Sequence, residues 1–408
     1  MRKLMTGNEA AAWGVRLAEV DYVPAFPITP QTEIIERLAE WSAHGETACR
    51  LVMLESEHSM LTAAGTAAAT GVRVFTATSS QGLLYAMEML YTPPGWRAPF
   101  VLINVSRGLA SPITLEPDHN DVLAARDSGF LQLHASTCQE VLDLVLLAFR
   151  LAEDVSVRLP VLVNLDGFYL SFTREPVEVP APELVRAFLP PFDPQALHFR
   201  AGAPSAQGVA VLGGSPYSYF RYEAHLAARA ALGAFADAAR DFALRFGRSH
   251  AAVETYRCED AEFAFVMLGA FATKAKAAVQ ALRAEGWRIG LVRPVLLRPF
   301  PDAELVRALA PLRAIAVVDQ NLAPGHGGVL YGEVLAALYH ARELGPRVAS
   351  FVGGLGGRDI ALAEFAEMAR TLRETIETGA NPPPRLLYTA EELSQLQSLQ
   401  AVALGPQP

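Results

Sequence analysis

Two carboxylates, Glu55 and Glu57, follow the short apolar run Arg50–Leu54 and precede a helix-forming stretch rich in alanine and glycine. A carboxylate in the first turn of a helix is stabilised by free backbone amides and by the helix dipole, so capping explains one of the two. It does not explain both, which makes the pair a candidate for chemistry. The small residues that follow indicate close packing against a helix, a second subunit or a flat ligand, of which helix packing is the most common.

A second candidate lies in the segment Phe26–Glu33, where prolines bracket Thr29 at the end of another apolar run. Pro27 and Pro30 each fix one backbone φ angle and hold the turn rigid. Such a turn is suited to presenting the Thr29 hydroxyl to a ligand. An ordinary helix start with threonine as its cap is an equally good interpretation of the same residues.

A third candidate is the polar segment Thr78–Leu83, which contains Ser80 and Gln81 at a predicted strand-to-helix turn. Backbone amides and hydroxyls at such a turn bind polar or anionic ligands. The pattern is weak evidence by itself, because many helices begin with serine.

The fourth candidate is Arg107, which directly follows an apolar run and begins an irregular segment that carries Asp118, His119 and Asp121. A guanidinium group binds a carboxylate through two parallel hydrogen bonds, and long irregular segments often form active sites. The competing interpretation is a salt-bridged arginine on the surface.

Other motifs exclude several kinds of site. His58 and His119 match no metal-ligand spacing, and Cys49, Cys138 and Cys258 cannot complete a four-thiolate iron–sulfur centre. The glycine-rich segments Pro324–Gly328 and Gly353–Asp359 match neither a dinucleotide-binding loop nor a Walker loop, and indicate structural turns or subunit contacts.

Composition narrows the protein class further. The 408 residues carry 34 Lys and Arg against 43 Asp and Glu, a net charge of −9, so no nucleic-acid partner is expected. The sequence has no run of 18 apolar residues and no signal-peptide pattern at its start. We therefore expect a cytoplasmic protein with no membrane partner.

Short apolar runs alternate with 3.6-periodic segments in the first 175 residues, a pattern typical of a doubly wound α/β fold with a parallel sheet. The predicted strands are Tyr22–Phe26, Arg50–Leu54, Val72–Ala77, Phe100–Val105, Leu131–His134 and Leu162–Leu165. The predicted helices are Asn8–Leu17, Gln31–His44, Glu57–Thr70, Ser80–Tyr91 and Cys138–Ala152. Sites in such sheets lie at the carboxyl ends of the strands.

The rest of the chain divides by composition. Prolines crowd residues 175–206 and indicate a linker, and a helix is predicted over Tyr222–Phe246. A second alternating region indicates a smaller α/β domain. The predicted divisions are a first domain at 1–175, a connecting segment at 176–258, a second domain at 259–380 and a tail at 381–408.

Seven short segments stand in an order and at spacings that resemble one family, the α subunits of 2-oxoacid:acceptor oxidoreductases, which include pyruvate:ferredoxin oxidoreductase. The resemblance covers roughly residues 5–375 and continues through Val292–Pro301 and Val317–Gly328. The segments are Pro27–Pro30, Ser56–Glu57, Ser80–Leu84, Ser106–Arg107, Asp118–Asp121, Ala125–Phe130 and Asp166–Phe168.

The resemblance implies a thiamine pyrimidine-binding domain followed by a smaller domain like the C-terminal domain of transketolase. In this family a β subunit holds the diphosphate of thiamine diphosphate, Mg²⁺ and a [4Fe-4S] cluster, and γ and δ subunits complete the enzyme. The chain has no Gly-Asp-Gly diphosphate motif, so it resembles the pyrimidine side only. Coenzyme A is the implied co-substrate, with ferredoxin or a flavoprotein as electron acceptor.

The resemblance also implies roles for particular residues. Glu57 would hydrogen-bond the pyrimidine ring of the cofactor, which Pro27, Ser80 and Gln81 would also contact. The substrate's carboxylate and carbonyl would bind Arg107 and Thr29, in a pocket that we expect also to include Asp118 and His119.

The substrate stays open at this stage. Gly108, Leu109 and Ala110 follow Arg107, unlike the 2-oxoglutarate branch, which favours a pyruvate-like acid. An aromatic 2-oxoacid such as phenylglyoxylate, with ferredoxin or NAD⁺ as acceptor, is an alternative, because one or two pocket residues change size selection.

Two interpretations from different functional classes also stay open, a non-catalytic scaffold and a transketolase-type thiamine enzyme. Retention of Glu57, Arg107 and Thr29 together argues against the scaffold. The Pro-Ile-Thr-Pro and Ser-Arg segments argue against the transketolase type.

Overall fold

A parallel sheet organises the first half of the chain in the computed structural model, which describes residues 1–193, 202, 204, 206, 208–340 and 345–404. Apolar runs form its strands, and the periodic segments form helices that cross between them. The elements of this half are β1 Arg2–Thr6, α1 Gly7–Leu17, β2 Tyr22–Ala25, α2 Thr32–Ala43, β3 Arg50–Met53, α3 Glu57–Ala69, β4 Phe75–Thr78, α4 Ser80–Tyr85, α5 Met87–Trp96, β5 Val101–Ser106, α6 Asn120–Ala124, β6 Leu131–His134, α7 Cys138–Ala152, β7 Val161–Asp166 and β8 Arg174–Glu178.

The sheet order is β6-β7-β5-β4 with all four strands parallel, and β2 and β3 form a parallel pair that an isolated bridge joins to Val74, the residue before β4. One face packs on α1, α2 and α7, and the other on α3, α5 and the second domain. The predicted doubly wound α/β class is confirmed.

The second half forms a smaller parallel sheet after a helical connection. Its elements are α8 Pro182–Phe188, α9 Gly214–Phe246, β9 Val253–Tyr256, β10 Phe263–Met267, α10 Phe271–Ala284, β11 Ile289–Pro294, β12 Leu296–Arg298, α11 Asp302–Leu309, β13 Ala314–Asp319, α12 Val329–His340, β14 Arg347–Val352, a 3₁₀ turn Leu355–Gly357, α13 Leu362–Thr378, β15 Arg385–Leu386 and α14 Ala390–Leu404. The sheet order is β15-β14-β13-β10-β11-β9, in which only β9 is antiparallel to its neighbour.

Strand β12 joins the two halves. It leaves the second sheet after β11 and pairs antiparallel with β6, which extends the first sheet by one strand. Arg293 strengthens this junction, because its buried guanidinium binds Glu140 of α7 and Glu254 of β9, each at 2.6 Å. The two sheets therefore share one continuous packed boundary, which fixes the loops between them.

The structure differs from the predicted elements at four places. The helix predicted over Ser80–Tyr91 breaks at Ala86, whose ψ of 9° is not helical. The proline-rich linker holds the short helix α8, which begins at Pro182, and α9 begins at Gly214 instead of Tyr222. Strands β1 and β8 pair with each other across the chain. Residues 194–201, 203 and 205 of the linker predicted at 175–206, and the last residues of the tail, 405–408, lie outside the described residues.

Within the described ranges, no helix combines the length and the apolar character that crossing a membrane requires.

Candidate functional site

A row of polar side chains crosses the first sheet near the carboxyl ends of its strands. Thr78, Asn104, Asn164 and His134 are paired in register on β4, β5, β7 and β6, so all four point to the same face. All four are buried. We call them the polar row. Two residues further down the strands the same face carries the apolar Leu102 and Leu162 on the two central strands, which belong to the packed core.

Glu57 lies beside one end of this row. It is the first residue of α3 and only 6% exposed, and Ser56 caps the helix by accepting a hydrogen bond from the Ser59 amide. In the described part of the chain the Glu57 carboxylate has no hydrogen-bond or ion-pair partner. Burying such a group without a partner is unfavourable, so its position indicates a site that a ligand completes.

Gly82 makes room for this carboxylate. A β-carbon at Gly82 would lie 2.5 Å from Glu57 Oε1 and 2.6 Å from Thr78 Oγ1. The Thr78 and Ser79 hydroxyls are buried, and neither has a partner among the described residues. Glu55 differs, since it is exposed and accepts a hydrogen bond from Ser59. Only one of the two carboxylates is thus placed inside the site.

We predict that Gly82→Ala lowers turnover at least about 10-fold, because the methyl group displaces the Glu57 carboxylate. Steady-state turnover and thermal unfolding of the assembled enzyme measure the effect. Gly95→Ala is the matched control, since a β-carbon there meets no atom within 4 Å. Unchanged turnover in Gly82→Ala would show that the contact with Glu57 does not matter.

Arg107 is buried and points to the same region. Its Nη1 donates to the Thr29 carbonyl at 2.8 Å and its Nη2 donates to Gln81 Oε1 at 2.6 Å. Its Nε is buried without a partner, and no carboxylate pairs with the guanidinium in the described chain. Burial lowers the pKa of Arg107, whose ordinary value is so high that the group stays charged. The interpretation as a salt-bridged surface arginine is therefore wrong.

Thr29 and Ser80 complete the neighbourhood. Thr29 is exposed and does not cap α2, whose N-cap is Gln31 with no side-chain capping hydrogen bond. The interpretation of this turn as an ordinary threonine cap is thus wrong. Ser80 takes a positive φ of 50°, and its Oγ lies 2.7 Å from Gln81 Oε1 and 3.0 Å from the Gly108 carbonyl. Pro27 is exposed beside them.

Asp121 lies beneath Arg107 and Ser80. Its Oδ2 accepts hydrogen bonds from the Ser80 amide, Asn104 Nδ2 and the Arg107 amide at 3.0, 3.0 and 3.2 Å. Burial raises the pKa of Asp121 to about 6. From the sequence, Asp121 is assigned only to the irregular segment that begins at Arg107. Its contacts come from three separate segments, and no local pattern reveals them.

His119 and Asp118 lie at the boundary between the two sheets. His119 is buried with Nε2 2.7 Å from Asp166 Oδ1, and its amide donates to the Gln320 carbonyl. Burial acts to lower the pKa of His119, but the carboxylates of Asp166, Asp121 and Asp118 together outweigh it, and the net shift is upward. Asp118 Oδ1 accepts from the Asn120 amide. These contacts are structural, and the role of both residues in substrate binding stays a prediction.

Asp319 is a further buried acid at this boundary. It accepts hydrogen bonds from the Leu330 and Tyr331 amides at 2.8 and 3.1 Å, at the start of α12. Gly328, in the segment predicted to be a structural turn, packs against its carboxylate. Burial raises the pKa of Asp319 to about 7. Between about pH 4 and pH 7, the folded chain thus keeps a proton on Asp319 that the unfolded chain, in which the carboxyl has its ordinary pKa, has released.

We predict that Asp319→Asn is increasingly favoured over the natural chain as pH rises from about 4 to about 7. In that range the unfolded chain releases the Asp319 proton while the folded chain keeps it, so the natural chain loses on the order of 4 kcal/mol of stability, and an amide, which does not ionise, loses none in this way. Thermal unfolding of both proteins across this pH range measures the difference. A difference that is constant with pH would contradict the raised pKa.

Within the described ranges, no three His, Cys, Asp or Glu side chains come together as metal ligands. His58 is half-buried and lies 3.3 Å from Glu88. The three cysteines are free.

Comparison with protein families matches most of the chain. Residues 13–234 match the family described as pyruvate flavodoxin/ferredoxin oxidoreductase, thiamine diphosphate-binding. Residues 261–365 match pyruvate:ferredoxin oxidoreductase core domain II.

Individual relatives agree with this match. The chain is 41% identical to the pyruvate synthase subunit PorA of Methanothermobacter thermautotrophicus, over 90% of this chain and 94% of the relative. It is 40% identical to the ketoisovalerate oxidoreductase subunit VorA of Pyrococcus abyssi, over 93% and 95% of the two chains.

A solved structure shows the same fold. It is a 2-oxoglutarate:ferredoxin oxidoreductase from Magnetococcus marinus with 2-oxoglutarate, coenzyme A and succinyl-CoA bound, with a TM-score of 0.70 and 20% identity. The match covers 91% of this chain and 65% of that one, so the present chain spans just under two thirds of its neighbour.

Proposed function

The chain belongs to the pyruvate:ferredoxin oxidoreductase family, as an oxidoreductase subunit, and we propose that it forms the pyrimidine side of the thiamine diphosphate site. The observation that carries this proposal is the Glu57 carboxylate, which is buried at the end of a parallel sheet without a partner in the described chain. The enzyme would convert a 2-oxoacid and coenzyme A to an acyl-CoA and CO₂.

The residues around Glu57 fit the cofactor. The partnerless hydroxyls of Thr78 and Ser79 and the space beside Gly82 leave polar atoms free for a ligand ring. Glu57 would hold a proton against a ring nitrogen, and Pro27, Ser80 and Gln81 would line the same space. Thiamine diphosphate, when bound, supplies the nucleophilic carbon and the electron sink of the reaction.

Arg107 and Thr29 would bind the oxoacid. The buried guanidinium has no anionic partner in the described chain, and the adjacent Thr29 side chain is exposed. A carboxylate that enters here would gain charge-assisted hydrogen bonds in a site of low polarity. Residues of this chain would thus orient the 2-oxo group of the substrate.

Partner subunits would supply the remaining parts. The chain has no Gly-Asp-Gly motif and only three cysteines, so we assign the diphosphate, Mg²⁺ and the [4Fe-4S] clusters to a β subunit and companions of γ and δ type. Ferredoxin or a flavoprotein would accept the electrons. We also propose that the domain divisions at 1–175, 176–258, 259–380 and 381–408 describe this subunit.

Pyruvate is the first substrate to test, with ketoisovalerate second, because relatives named for these two acids are similarly identical to the chain. None of the relatives described above is named for an aromatic acid, and the phenylglyoxylate alternative has no support from them. The scaffold interpretation has no support from these relatives either. The structure also argues against it, because Arg107 contacts Gln81, which directly precedes the Gly82 that packs on Glu57, so the candidate site residues lie together.

The experiment is viologen dye reduction by the purified complex under argon, with pyruvate, ketoisovalerate, 2-oxoglutarate and phenylglyoxylate in turn. We expect coenzyme A-dependent reduction with an aliphatic 2-oxoacid. Failure of all four acids, in a complex that contains its cofactor and clusters, would contradict the proposed activity.

A further inference from the structure

We propose that Asp121 is the positioning residue of the oxoacid site, which sets the backbone from which Arg107 and Ser80 reach the ligand. This proposal rests on the proposed function. Its basis is the convergence of the Ser80 amide, the Arg107 amide and Asn104 Nδ2 on a single oxygen, Asp121 Oδ2.

The contacts tie together three segments that are distant in the sequence. Ser80 follows β4, Arg107 follows β5, and Asp121 lies in the first turn of α6. Asn104 belongs to the polar row, and its Nδ2 also lies 2.9 Å from Asn164 Oδ1. The carboxylate therefore fixes both site segments relative to the sheet itself.

Asp121 holds the Arg107 backbone and forms no ion pair with its guanidinium. The Arg107 guanidinium contacts the Thr29 carbonyl and Gln81, while Asp121 accepts from the Arg107 amide. The guanidinium thus stays available for an anion, and its direction depends on where the amide is held. Ser80 needs similar support, because a serine with φ of 50° occupies an unfavourable region of backbone conformation.

The site requires a carboxylate in particular. Besides the three donors on Oδ2, the Val122 amide lies 2.7 Å from Oδ1, so all four contacts are donors. An asparagine in this place would turn its own NH₂ group toward at least one donor, in either orientation of the amide. Asp121→Asn therefore changes few atoms and still breaks the pattern.

The test measures steady-state kinetics of the assembled complex with Asp121→Asn. We expect the KM for the oxoacid to rise about 10-fold, with kcat and the KM for coenzyme A within about twofold. Asp127→Asn is the control, because Asp127 is exposed in the same segment and pairs with Arg126 and Arg298, away from the site. A rise in both KM values together, or a loss of kcat alone, would overturn the positioning role.

Two further variants keep the outcome decisive. In an Arg107→Ala background, Asp121→Asn should add less than about twofold to the oxoacid KM, because both changes act through one group. Full additivity would overturn the proposal.

If Asp121→Asn does not assemble, Asn104→Ala takes its place: a selective rise in the oxoacid KM supports the proposal, and an unchanged KM overturns it.

These results are separable from the proposed function. A natural complex that turns over no 2-oxoacid refutes the function itself. A natural complex that is active, with an Asp121→Asn variant of unchanged oxoacid KM, refutes only the role of Asp121.

Discussion

Glu57→Gln is expected to lower kcat of the assembled enzyme by about 1,000-fold while the complex keeps its composition and thermal stability. Glutamine has nearly the same shape as glutamate, so the space beside Gly82 stays filled. An amide, however, cannot exchange a proton with a ring nitrogen, and positioned proton transfer contributes about 10²- to 10⁴-fold to rates. Dye reduction with saturating oxoacid and coenzyme A measures the loss.

The matched control for this variant is Glu55→Gln. Glu55 lies two residues earlier, is exposed and contacts Ser59. The Glu55→Gln variant should retain the natural kcat. If Glu57→Gln kept a tenth or more of the natural kcat, the carboxylate would have no role in proton exchange.

Arg107→Ala is expected to raise the KM for the oxoacid about 100-fold and the KM for coenzyme A less than about twofold. The guanidinium is buried with one nitrogen unpartnered, and charge-assisted hydrogen bonds to a substrate carboxylate are worth about 1.5 to 3 kcal/mol each. Separate titrations of the two substrates distinguish the effects.

Arg186→Ala is a suitable control for the loss of one positive charge, because Arg186 is exposed and pairs with Glu19 on the surface. Its KM values should match those of the natural enzyme. An unchanged oxoacid KM in Arg107→Ala would remove this residue from the substrate site.

Elements with strong local patterns were predictable from the sequence. Strand β6 and helix α7 have the predicted bounds, Leu131–His134 and Cys138–Ala152. The reason is that the periodic run of α7 is long and begins directly after Thr137, whose side chain caps the helix and separates it from the short strand before it.

Elements that depend on distant residues were not predictable in the same way. Strands β1 and β8 form by pairing with each other, although they lie some 170 residues apart in the sequence. Strand β12 was not predicted, and although its residues lie within 259–380, the predicted second domain, it pairs with β6 of the first sheet. Local periodicity contains no information about either pairing.

The candidate site likewise contains some residues that the sequence could identify and others that it could not. Residue type and position after a strand singled out Glu57, Thr29, Ser80 and Arg107, since the carboxyl ends of parallel strands meet at one edge. The convergence of donors on Asp121 is a property of three segments at once. His119 and Asp166, which contact each other, are likewise each hydrogen-bonded to the second domain, through the Gln320 carbonyl and the Ala270 amide.

The central claim is that this chain contributes one half of a thiamine diphosphate site. Its most direct test is purification of the chain under argon from its source, with mass spectrometry of the co-eluting chains and measurement of bound thiamine diphosphate before and after the subunits are separated. The account predicts that the cofactor accompanies a complex with a cysteine-rich partner and that the separated chain holds none. A separated chain that retains the cofactor and reduces viologen dye with a 2-oxoacid would contradict it.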